Sequence, residues 1–144
     1  MSTNGTMVFE PRLTFSAVLR SEWKWWATGG VISFVLASVL MSGWPEGLLP
    51  NVTYPYIYQG DGLSHSWMML RAIEGWVFES ARSGYPFGSN FLDYPGSDAG
   101  NLLLVKIMGS FNGEYHSTLN LFFLFSFSAV FIVSYCALRT FGIT

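Results

Sequence analysis

Two stretches of this chain contain no Asp, Glu, Lys or Arg, and they constrain it more than any other feature: Trp25–Trp44 and Ser117–Leu138. Each is about 20 residues long, enough at ~1.5 Å rise per residue to cross a ~30 Å hydrocarbon core. Between them runs Pro45–His116, which holds seven of the nine acids. Charged residues make up 11% of the chain. A soluble domain carries about 25%, so a soluble surface of ordinary polarity is excluded. The apolar excess is clustered instead of spread at helix or strand period.

The expected fold is therefore an all-α membrane protein. Two transmembrane helices, 25–44 and 117–138, are joined by a large extracytoplasmic loop, 45–116, that carries two short amphipathic helices. Residues 1–24 form a cytoplasmic N-terminal segment, and 139–144 a cytoplasmic start of a connector. Orientation follows from Arg12, Arg20 and Lys24 close to the first span, since basic flanks favour the cytoplasmic side. The loop then faces the periplasm or exterior. Neither a basic nucleic-acid patch nor a cysteine framework is present; the single Cys136 lies in the second span and reads as a packing residue.

Leu13–Lys24 reads as a short interfacial helix, followed by Trp23, Trp25 and Trp26 at one membrane surface, with Trp44 at the other and Pro45 ending the helix. After the Gly60-Asp61-Gly62 turn, Leu63, Trp67, Leu70, Ile73 and Val77 make a helical stripe expected to end near Ser83-Gly84. Trp67, Met68 and Trp76 suit that helix to the membrane surface. Tyr85–Gly100 is irregular, Asp98 caps a helix over Ala99–Met108, and Gly109–His116 forms a turn.

Asp61 is the sharpest chemical candidate. Its flanking glycines leave space around a carboxylate that accepts a proton from a hydroxyl or ligates a divalent cation, Mg or Mn. The competing reading is a helix N-cap. His65, four residues on, shares its helical face and suits a phosphate contact or an ordinary surface position. Arg71 and Arg82 suit bidentate phosphate contacts, or pairing with Glu74 and Glu79. Asp93 and Asp98 flank Tyr94-Pro95-Gly96-Ser97 and supply either oxygen ligands to a metal or a turn acid and a cap. No phosphate-binding loop, nucleophile elbow or zinc spacing occurs.

The order of a basic start, one span, a loop with Gly60-Asp61-Gly62-Leu63-Ser64-His65, two amphipathic helices and a second span resembles the N-terminal region of GT-C-type integral-membrane glycosyltransferases. Gly84-Tyr-Pro-Phe-Gly-Ser-Asn-Phe-Leu-Asp-Tyr-Pro-Gly-Ser-Asp98 is similar to a loop in large bacterial polytopic proteins of this kind, and Leu138–Thr144 to their connector into a third span. The resemblance implies Asp61 as catalytic base or metal ligand. It also implies a polyprenyl-phosphate sugar donor, a bacterial inner membrane, and further spans or a partner subunit that complete the site. On that reading this stretch alone is inactive. The rival reading is a non-enzymatic two-span membrane protein whose aromatic loop binds a partner or lipid.

Overall fold

The structure, a computed structural model, describes residues 13–43, 47, 49–56, 59–82, 86–90 and 99–143. Its elements are α1 (Phe15–Ser21), α2 (Trp23–Met41), α3 (Asp61–Glu74), β1 (Glu79–Ser80), β2 (Ser89–Asn90), α4 (Ala99–Asn112) and α5 (Tyr115–Thr140). Among the described residues the regular structure is helical apart from one antiparallel pairing, Glu79 opposite Asn90 and Ser80 opposite Ser89. Both α2 and α5 are long and apolar enough to cross a membrane, and only 17% and 11% of their most apolar stretches are buried. The core helix of a soluble domain would be mostly buried, so this exposure supports a membrane protein. The described residues divide into two compact units, one drawn from Met1–Ala37 with Ser126–Thr144, the other from Ser38–Phe125.

In the first unit, Thr14 caps α1, its hydroxyl accepting from the Ala17 N–H at 3.3 Å. The expected single helix over 13–24 is broken at Glu22, whose N–H closes α1 on Val18 O while its own carbonyl accepts from Trp25 N and opens α2. The first span-length helix consequently begins at Trp23 and ends at Met41, not 25–44; Trp44 and Pro45 lie outside the described residues. Trp26 turns back to α1, its indole donating to Leu19 O at 3.0 Å.

Antiparallel contacts join α2 to the second half of α5. Ser128 Oγ donates to Gly30 O at 2.7 Å. A Cβ at Gly29 would lie 2.0 Å from the Phe131 ring, so only glycine permits this approach; small residues are the usual means by which helices come close in lipid. At the end of the pair, Glu22 takes a forked contact from Arg139 (Nη2 to Oε1 2.7 Å, Nε to Oε2 2.9 Å) and a hydrogen bond from the Tyr135 hydroxyl at 2.6 Å.

Hydrogen bonds from Arg139, and then from Tyr135, hold the Glu22 carboxyl at about 2, below its ordinary 4.5. Because the folded value is the lower one, this clasp contributes fully above pH 4.5 and is lost as pH falls through 2. We expect the melting temperature of the wild type to drop more steeply between pH 5 and pH 3 than that of Glu22→Gln; parallel curves would show that the clasp contributes nothing.

In the second unit, α3 packs on α4 around Ala72, Val77 and Leu102, with Met68, Met69 and Phe78 alongside. The helix that the stripe to Val77 predicts as far as Ser83 stops at Glu74. Gly75 ends it, donating to Arg71 O at 2.9 Å, and Val77 reaches the same core from the bent, non-helical chain that leads into β1. Lys106 of α4 reinforces that end, its ammonium donating to Ala72 O at 3.1 Å and to Gly75 O. These carbonyls lack helical partners, and a cation there suits the helix dipole.

α4 runs four residues past the expected Met108 because Gly109 faces α3, where a Cβ would come within 3.0 Å of Ile73. The expected turn over 109–116 shrinks to Gly113 and Glu114, and α5 begins at Tyr115. Gly113 adopts φ 69° and donates to Gly109 O, closing α4. Glu114 then caps α5: its carbonyl accepts from the Thr118 N–H and hydroxyl, and its carboxylate from Ser117 Oγ.

Candidate functional site

Two sets of polar residues in the second unit are built by the fold. The first lies along α3. The helix starts at Asp61, and Gly60 takes the N-cap with φ 56° and no side-chain cap bond, so Asp61 is the first helical residue instead of the cap. His65 follows one turn later on the same helix and is exposed, which keeps the expected four-residue relation. Arg71 lies ten positions beyond Asp61, about 15 Å along the axis at 1.5 Å per residue.

Arg71 and Arg82, eleven residues apart, do come together, through a single carboxylate. Glu74 Oε2 accepts from Arg71 Nη2 at 2.8 Å and from Arg82 Nη1 at 3.2 Å. Both arginines meet Glu74; the pairing of one of them with Glu79 is not what forms. Arg71, Glu74, Gly75, Glu79, Ala81 and Arg82 line a hollow of about 430 Å³. Arg71 is 13% exposed and its Nε is buried with no hydrogen-bond partner, whereas Arg82 is 73% exposed. Two arginines balance two glutamates here, so the hollow has no formal net charge. A phosphate would bind by taking Glu74's place between the guanidiniums.

The second set is the clamp around Asn120, a polar side chain 2% exposed near the start of α5. Its amide nitrogen donates to Val52 O at 2.8 Å and Tyr54 O at 2.5 Å, and its oxygen accepts from Tyr56 N at 3.3 Å. One side chain thus satisfies three backbone groups of the irregular segment that precedes α3. Tyr56 also meets Phe123 edge-on at 6.2 Å, and its hydroxyl is buried without a partner, which pushes its pKa up.

Asp93 and Asp98 lie outside the described residues. Among the described residues no three His, Cys, Asp or Glu side chains are grouped to hold a metal ion. The residues that sequence reasoning passed over are Lys106, Asn120 and the Glu22–Tyr135–Arg139 clasp. Of these Asn120 left a signal, as an amide inside an otherwise apolar run; the others depend on pairings more than 30 residues apart. No protein-family model, curated protein or solved structure matches this chain.

Proposed function

We propose that this chain forms part of a GT-C-type membrane glycosyltransferase that moves a sugar from a polyprenyl-phosphate donor to an acceptor hydroxyl. The observation that supports it most is the position of Asp61, which opens α3 on a connector between two span-length helices. In this reading Asp61 takes the proton of the acceptor hydroxyl. The freed oxygen attacks the anomeric carbon, and the carbon–oxygen bond to phosphate breaks, the electron pair leaving with the polyprenyl phosphate. His65, Arg71 and Arg82 serve anionic parts of the substrates, and a divalent cation, if used, would draw on Asp61, Asp93 and Asp98.

Asp61→Asn in the full-length protein should lower transfer of labelled sugar about 100-fold or more, in keeping with loss of a general base, and leave thermal stability unchanged. Near-normal transfer would overturn the assignment. A second reading, a non-enzymatic protein whose connector binds a partner or lipid, draws on Phe87 and Phe111, which are 95% and 89% exposed. It expects Asp61→Asn to leave that binding intact.

A further inference from the structure

α4 is apolar on two opposite faces. Leu102, Val105 and Gly109, spaced i, i+3 and i+7, are buried on the side that meets α3. Leu104, Ile107 and Phe111 repeat that spacing about 160° round the helix, and are 53%, 48% and 89% exposed. A helix packed on one side of a small unit needs only one apolar stripe; the other has to face something apolar.

The junction with α5 indicates what that is. Two residues separate the helices, and they are fixed. Gly113 closes α4, Glu114 caps α5, and Asn112 Nδ2 donates to Thr118 Oγ1 at 3.4 Å across the corner. Phe111 therefore lies four residues from the start of a helix about 39 Å long, more than a bilayer core requires, whose first turns carry Ser117, Thr118 and Asn120. Once α5 is inserted, so short and so fixed a corner holds the last turn of α4 at the level of the lipid headgroups.

We infer that the Leu104–Ile107–Phe111 face of α4 lies on the bilayer, with Phe111 at the boundary between headgroups and acyl chains. An apolar stripe at that depth is covered by lipid in the manner of an interfacial helix. The inference rests on insertion of α5 and not on sugar transfer. It extends the membrane contact of this protein from its two span-length helices to the connector between them.

Site-directed spin labelling of the full-length protein in phosphatidylcholine–phosphatidylglycerol nanodiscs tests it. Single labels go at Leu104→Cys, Phe111→Cys, Ser110→Cys and Val130→Cys, with the buried Cys136 changed to alanine and folding checked by melting temperature. The ratio of oxygen to nickel-chelate accessibility should be about threefold or more higher at 104 and 111 than at 110, as expected for a lipid-facing stripe. Equal ratios at the three α4 positions would overturn the inference. Protection from both reagents at 104 and 111 would also overturn it, by showing that protein covers the face. A water-like ratio at 130 would overturn the insertion of α5 itself, a failure distinct from that of the α4 face.

Discussion

Asn120→Leu should loosen the segment before α3 and destabilise the second unit by roughly 2–4 kcal/mol. Leucine keeps the branching of the asparagine side chain but none of its polar atoms, so the carbonyls of Val52 and Tyr54 and the N–H of Tyr56 lose their shared partner. Each buried polar group left unpaired costs about 1–3 kcal/mol, reduced where water reaches it. The loss should appear as a lower melting temperature and as faster amide exchange at Tyr56. Asn120→Asp is a useful companion, because a carboxylate can accept from Tyr56 N–H but cannot donate to the two carbonyls, and should not rescue. Wild-type stability in Asn120→Leu would show that the segment is held by other contacts.

Gly29→Val should push the two span-length helices apart at the Phe131 ring. The added Cβ meets the Phe131 ring at 2.0 Å, and that ring stacks on Tyr135 with centroids 6.1 Å apart. Displacing it disturbs the residue that donates to Glu22, so one methyl-bearing carbon strains both the contact and the clasp. The expected cost is about 1–3 kcal/mol, typical of overpacking. Phe131→Ala should restore much of it in the double variant, a coupling that distant independent sites would not show. Thermal unfolding of the four proteins in detergent measures the cycle; additive losses would mean that the two side chains do not meet.

Much of the architecture was legible because it is dictated locally. Charge-free runs of span length and the apolar periodicity of Leu63–Ile73 each depend on neighbouring residues, and each leads to the element observed. The errors fall at ends, where local signals compete. The stripe runs on to Val77 because the same buried position can be reached from helix or from a bend, and Gly75 decides for the latter. Asp61 suited a cap by composition, but Gly60 can adopt φ 56° and took that place. The clasp, the Lys106 contacts and the partners of Asn120 were not legible, since each joins residues 31 or more positions apart; Asn120 itself stands out as an amide in an apolar run, but nothing near it names what it binds. For the candidate site, sequence pointed to Arg71 and Arg82 separately; that one carboxylate draws them together follows from where α3 stops.

The ammonium of Lys106 has a thermodynamic consequence. It belongs to α4, yet the carbonyls it binds terminate α3. The last turn of α3 cannot fray at its ordinary low cost while α4 is in place, and α4 cannot leave without stripping that turn of its cap. Partial opening of either helix thereby costs the other a contact, which couples the opening of the two in native-state exchange.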